Sequence, residues 1–220
     1  MPRPPQDTTA WVADRIAETT DASSTKVTSP FTFRVNRKDH LPSFEVLVLS
    51  ASRVTDEILD PLLEDGRSVS FVVNVPKNGI WTESGIATAR NHDCAFGGIG
   101  ELMSAIHQKL DDVSFFVKKE NAFVERGLAQ HDNVSHFDQE YDRVYTVHRP
   151  GMKSLRVVLL NEYELTAEHV RTARTNYGPF DIVLMTNPNG TPTKDALDTA
   201  KTLQVAILAW RQFLGRLGSR

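Results

Sequence analysis

The chain has one cysteine, Cys94, in 220 residues, so no internal disulfide can form and a reducing compartment is the simplest setting. Long apolar runs are missing too. Stretches such as Phe71-Val72-Val73 and Val157-Val158-Leu159-Leu160 stay far below the roughly 18 to 20 residues of a bilayer-spanning helix, so no membrane partner is expected. The opening Met1-Pro2-Arg3-Pro4-Pro5-Gln6-Asp7 lacks the apolar segment of a secretory leader, which makes a cytoplasmic protein the expectation. Neither charge dominates: 25 Lys+Arg face 28 Asp+Glu, a net charge of -3, and nothing draws the whole chain to a phosphate backbone. The basic groups Arg34, Arg37 and Lys38, and Lys118 and Lys119, are too sparse to define a nucleic-acid stripe. Nucleic acid is therefore not the expected partner. A Gly-x-Ser-x-Gly nucleophile elbow is absent, and Cys94 sits in a short apolar stretch where a thiol is inert packing.

What the sequence does contain is an internal repeat. Sliding the chain by 111 residues lays 43–106 over 154–217 without a gap, and twelve of the 64 pairs are identical. Phe44-Glu45-Val46-Leu47-Val48-Leu49 falls on Leu155-Arg156-Val157-Val158-Leu159-Leu160. Asn78-Gly79 falls on Asn189-Gly190, Thr82 on Thr193, and Thr88-Ala89 on Thr199-Ala200. With a shift of one residue the match continues upstream, Phe33-Arg34-Val35-Asn36-Arg37 over Tyr145-Thr146-Val147-His148-Arg149 and Ala10-Trp11-Val12 over Ala122-Phe123-Val124. Two copies follow, 1–111 and 112–220, diverging most in the polar segments 19–29 and 130–141, which read as loops.

Each copy opens with a helical pattern, around Trp11 and Ile16 in the first and around Phe115, Phe116, Phe123 and Leu128 in the second. Two strand-like runs come next, 31–36 and 44–50, then 142–148 and 155–161. A helix follows at 55–64 or 166–176 with Thr55 or Thr166 as its N-cap. The runs 69–75 and 180–186 are apolar at nearly every position, as befits a central strand covered on both faces. After an Asn-Gly turn, Thr82 and Thr191-Pro192 read as helix starts, the latter with Pro at the first helical position. A short strand, 94–96 or 205–208, leads into a last helix. The fold class is α/β: two three-layer repeats related by a pseudo-two-fold axis, each a mainly parallel but mixed sheet with helices on both faces.

The later part of each copy resembles Mrr-type restriction endonucleases of the PD-(D/E)XK superfamily. The resemblance rests on Val183-Leu184-Met185-Thr186-Asn187-Pro188-Asn189-Gly190 with Thr193, Ala196, Ala200, Val205-Ala206-Ile207, Leu214 and Leu217. It implies the restriction-endonuclease-like fold and, in active members, divalent-metal cleavage of nucleic acid by an Asp, a Glu or Gln, and a Lys two residues further on. In the first copy Asp39 and Glu45 match, but Leu47 stands at the lysine position. In the second Asp142 matches, while Arg156 and Val158 replace the Glu and the Lys. Neither copy carries the full set.

Ligands of open parallel sheets collect beyond the carboxyl ends of the strands. The two equivalent loops there supply the candidate binding residues: Lys77, Asn78, Gly79, Trp81 and Thr82 in the first copy, and Asn187, Asn189, Gly190, Thr193 and Lys194 in the second. A small anion or a partner's carboxylate suits them. The same residues also suffice simply to make a turn and start a helix, with Trp81 either a packing lid or an interface anchor. Gly97-Gly98-Ile99-Gly100 has neither the dinucleotide nor the P-loop spacing and reads as a tight turn. His131, His136, Asp138 and His148 contain metal-ligating types, but their spacing matches no established zinc site and their segment reads as a polar loop, so no metal or other cofactor is assigned.

The function expected from these readings is that of a non-catalytic binding or assembly protein with an unidentified protein or small-molecule partner. The alternatives are a divergent metal-dependent nuclease using Asp39, Glu45 and Asp142, and a nucleotide-binding enzyme acting at the cleft between the copies.

Overall fold

The computed structural model describes residues 6–19, 21–64 and 68–219; the N-terminal residues 1–5, part of the segment that lacks a leader's apolar run, lie outside the described residues. The chain divides into two compact units between Lys118 and Lys119. The segment 112–118, counted with the second copy by the sequence register, packs with the first unit, where Val113 and Phe116 are buried in its core.

The first unit comprises α1 (Gln6–Ala17), β1 (Ala22–Ser29), β2 (Thr32–Arg37), β3 (Phe44–Leu49), β4 (Arg53–Val54), α2 (Asp56–Leu63), β5 (Val69–Asn74), β6 (Ile80–Trp81), α3 (Glu83–Asn91), β7 (Ala95–Gly97) and α4 (Ile99–His107), followed by a 3-10 turn, Val113–Phe115. Its five-stranded sheet has the order β1-β2-β3-β5-β7, antiparallel for the first two pairings and parallel for the last two. Because β3 and β5 are apolar at successive positions, they feed two cores. Phe33, Val46, Val48, Phe71 and Val73 meet Val12, Ile16, Leu102 and Ile106 of α1 and α4. Leu47, Leu49 and Val72 meet Leu59, Leu63, Ile86 and Ala89 of α2 and α3. Each such side chain taken from water contributes about 1.5–3 kcal/mol toward folding.

The second unit comprises α5 (Lys119–Ala129), β8 (His136–Tyr141), β9 (Val144–Arg149), β10 (Met152–Leu160), β11 (Glu164–Leu165), α6 (Ala167–Tyr177), β12 (Ile182–Met185), β13 (Thr191–Pro192), α7 (Lys194–Thr202), β14 (Ala206–Ala209) and α8 (Trp210–Leu217). Its sheet, β8-β9-β10-β12-β14, again has two antiparallel pairings followed by two parallel ones. Val124, Leu128, Phe213 and Leu217 of α5 and α8 cover one face, and Ala173 and Ala200 of α6 and α7 pack with Val144, Val158 and Val183 on the other.

Both sheets are thus mixed, with antiparallel and parallel pairings in equal number, where a mainly parallel sheet was expected. The excess comes from β1 and β8, edge strands in the segments 19–29 and 130–141 that read as loops. The second-unit helix starts at Lys119, so Phe115 belongs to the 3-10 turn and Phe116 follows it. Thr191 and Pro192 do not start a helix: they are β13, paired with β11, and α7 begins at Lys194 behind the Thr193 N-cap.

A buried arginine ends the second strand of each sheet and ties it to the chain beyond the unit's last helix. Arg37 donates from Nε to Pro42 O (2.8 Å), from Nη1 to Leu110 O and from Nη2 to Asp111 O (3.0 Å). Arg149 donates from Nε and Nη2 to Lys153 O (3.0 and 2.7 Å), and from Nη1 to Ser219 O (2.8 Å), with Arg216 O and Leu217 O also in reach. Burial lowers the pKa of both guanidiniums from the ordinary value; Asp111 and Asp112 oppose this at Arg37.

Candidate functional site

In the first unit the loops that leave β3 and β5 at their carboxyl ends are bound to each other. Asn74, the last residue of β5, is buried and turns its side-chain amide onto Ala51: Oδ1 accepts from Ala51 N (3.0 Å) and Nδ2 donates to Ala51 O (2.9 Å). Gly79 passes so close that an added Cβ would lie 2.2 Å from Asn74 Nδ2 and 3.0 Å from Ala51 O. Only glycine fits there. Beyond it, β6 pairs with β4, and Thr82 donates from Oγ1 to Val54 O (2.8 Å) while accepting from Gly85 N (3.3 Å) to cap α3. Trp81 is 3% exposed and tilts against Phe96, ring centroids 4.6 Å apart. It is a packing residue of the core, and the interface-anchor reading is corrected by that burial. Lys77 and Asn78 form the exposed tip.

The second unit builds the same frame. A Cβ on Gly190 would lie 2.5 Å from Glu162 O, Thr191 N donates to Tyr163 O (3.0 Å), and Thr193 N donates to Leu165 O (2.9 Å). Thr193 Oγ1 accepts from Ala196 N (3.2 Å), capping α7. Asn187 is half-buried and accepts from Asn189 N (3.0 Å), whereas Asn189 and Lys194 are exposed, as is the neighbouring Tyr163.

These contacts decide what the loops can hold. The amides of Gly79, Gly85, Asn189, Gly190 and Ala196 all donate to acceptors within their own loop or helix cap. An anion would have to displace those bonds, so the loops offer their exposed side chains, not a nest of free N–H groups. The Gly-rich turn is closed in the same manner: Gly98 N donates to Glu101 Oε2 (3.0 Å), and in the second unit Ala209 N donates to Gln212 Oε1 (3.0 Å).

The residues matched to the nuclease motif are engaged elsewhere, Asp142 with Arg143 Nε at 3.6 Å. Asp39, in a left-handed turn (φ 59°), pairs with Lys109 at 2.7 Å, and the lysine's hydrogen bond and charge hold its carboxyl below the usual range. Glu45 receives Arg34 Nε at 2.9 Å on one oxygen and Thr28 Oγ1 at 2.9 Å on the other. Leu47 and Val158 are buried in the cores, and Arg156 is bound to Glu140 at 2.6 Å. At the lysine position stand the buried apolar side chains Leu47 and Val158, and Arg156 replaces the second carboxylate in the second unit. Cys94 donates to Val69 O (3.1 Å), and burial with the charge of Asp93 pushes its thiol up to about 12. It is no nucleophile at neutral pH.

Of the metal-ligating types in 131–148, the structure brings His136, Asp138 and His148 together and leaves His131 apart, its ring facing Leu214 O and Asn133 N. A hairpin reading centred on Asp142 would have set the two histidines opposite each other, six residues to either side.

The molecule is a two-unit mixed α/β protein carrying matched strand-end loops, and no described helix is long and apolar enough to cross a membrane. Comparison of the chain with family models, curated proteins and solved structures finds no match in any of the three.

Proposed function

We propose that the protein is a non-catalytic binding or assembly protein, built by duplication of one restriction-endonuclease-like α/β repeat, that engages its partner through the exposed tips of the strand-end loops. The observation that carries this reading is the frame beneath the tips, matched at the same 111-residue spacing that aligns the copies. Gly79 and Gly190 each abut a carbonyl of the preceding loop, Ala51 O and Glu162 O, and Thr82 and Thr193 each cap a helix while donating from N to Val54 O and Leu165 O. Further matched details support common descent. Asp93 and Gln204 take left-handed conformations (φ 52° and 58°), Glu101 and Gln212 close the last turn, and Arg37 and Arg149 hold the chain beyond the last helix. On this reading the two copies are the fused form of an isologous pair, with a pseudo-two-fold axis between them.

A rigid frame under an exposed polar tip lowers the entropic cost of recognition, because little is ordered on binding. The test is capture of partners from native extract by the parent and by a variant carrying Lys77→Glu, Asn78→Ala, Asn189→Ala and Lys194→Glu. The expected result is a partner held by the parent and lost by the variant, whose melting temperature is unchanged. Magnesium- or manganese-dependent cleavage of single- or double-stranded DNA that disappears in Glu45→Ala would overturn the reading.

A further inference from the structure

We propose that His136, Asp138 and His148 form a zinc site on the β8–β9 hairpin. The antiparallel register sets His136 directly opposite His148, and the twofold period of a strand places Asp138 on the same face. The two imidazoles stack with centroids 4.0 Å apart and planes 8° from parallel, and His148 Nε2 lies 2.7 Å from Asp138 Oδ2. One ligand atom from each of the three residues falls within 4.8 Å of the others.

Two imidazole nitrogens and one carboxylate oxygen are donors that zinc accepts, at about 2.0–2.2 Å each, which sets neighbouring donors about 3.4 Å apart in a tetrahedron. Rotation of exposed or half-buried side chains closes the present spread to that spacing without moving the strands. Each ring also has a serine at its other nitrogen: Ser154 Oγ lies 3.0 Å from His148 Nδ1, and Ser135 Oγ lies 3.3 Å from His136 Nδ1. When Nε2 binds the metal, Nδ1 carries the proton and donates to that hydroxyl, which fixes the ring as outer partners of a ligating histidine do. The register also brings Arg156 into line with Asp138 through Thr146, but this cation is engaged by Glu140 Oε2, Tyr177 O and Pro179 O. With His136 and Asp138 exposed, the fourth position is left to water.

The first unit supplies an internal contrast. The cross-strand pair in the same place in β1 and β2 is Ser24 opposite Asn36, joined by an amide-to-hydroxyl hydrogen bond of 2.9 Å, and Lys26 stands where the second unit has Asp138. A lysine and two weak neutral donors repel or ignore a cation. The equivalent place in the first unit therefore lacks the donors that the second unit offers, and metal bound in the second unit pins edge strand β8 to β9.

The full chain, stripped with chelator, is titrated with zinc in competition with a chromophoric chelator. One zinc per chain is expected. His136→Gln and His148→Ala should each abolish binding, and Ser154→Ala should weaken it by about tenfold. His92→Ala, an exposed histidine elsewhere, should leave it unchanged. Zinc should also raise the melting temperature of the parent and not of His136→Gln, each compared with its own metal-free form. Absence of saturable binding, or binding that survives both histidine substitutions, overturns the site.

Discussion

Arg37 and Arg149 are buried cations whose partners are neutral carbonyls, so their worth lies in what they leave satisfied. Removing either strands several peptide oxygens, in the chain just after its strand and at or beyond the end of the last helix of its unit. Arg37→Met and Arg149→Met should each cost about 2–3 kcal/mol, measured as a fall in the urea midpoint at unchanged slope. Lysine should recover little, because a single ammonium cannot span acceptors placed for a planar fork. At Cys94 the pH dependence has a definite sign. Its folded-state pKa is raised, from an ordinary 9.0 to about 12, chiefly by burial. The native state therefore holds the proton more tightly than the unfolded chain, and the associated stability is whole below pH 9 and lost as pH climbs toward 12. Urea midpoints between about pH 8 and pH 11 should fall in the parent and fall less in Cys94→Ala. In the native protein the thiol should resist alkylation at neutral pH.

At the scale of elements, helical glycines separate propensity from packing. A Cβ added to Gly215 in α8 would meet nothing within 4 Å, so Gly215→Ala should stabilise by about 0.5–1 kcal/mol. Gly127 in α5 faces the Trp210 indole, which an added Cβ would meet at 2.3 Å. The same change there should destabilise by about 1–3 kcal/mol despite the better helix former. Thermal unfolding of the two variants should thus move in opposite directions. Packing also explains which elements are legible in the sequence. The strands β3, β5, β10 and β12 stand out because both faces are buried and their apolar runs leave no other reading. Edge strands β1 and β8 read as loops because they pair on one side only and carry Ser24, Thr25 and Lys26, or His136, Asp138 and Gln139, with no apolar alternation to betray the period of two. The loop reading hides the histidine pair, since His136 and His148 meet only if 136–141 is a strand. The Asn-Gly turns and the caps at Thr82 and Thr166 are legible from local chemistry, whereas the start of α7 reads as Thr191-Pro192 because their pairing with β11 comes from another part of the chain. The pairing of the Thr82 and Thr193 amides is not legible, because their acceptors, Val54 O and Leu165 O, reach them from another part of the chain.

Over the whole molecule, each unit has its own pair of cores on either side of its own sheet. Leu102→Ala in the first unit should cost about 2–5 kcal/mol and Phe213→Ala in the second about 3–5 kcal/mol. Hydrogen exchange should show faster opening of amides confined to the unit that carries the substitution. The 111-residue register is readable from sequence because the two units place apolar residues at matching positions of their sheets. The place of 112–118 is not, since Phe116 looks like the start of the next helix until its packing against Phe71 is seen.

The arginine ties also bear on synthesis. When the ribosome has released the chain as far as Ile106, every strand of the first sheet exists, yet Leu110 and Asp111, more than 70 residues beyond Arg37, have still to emerge. Until they do, a nascent first unit must keep that guanidinium in water. Its closure waits for Leu110 and Asp111, near the end of the first unit, and does not require the second unit to have left the tunnel.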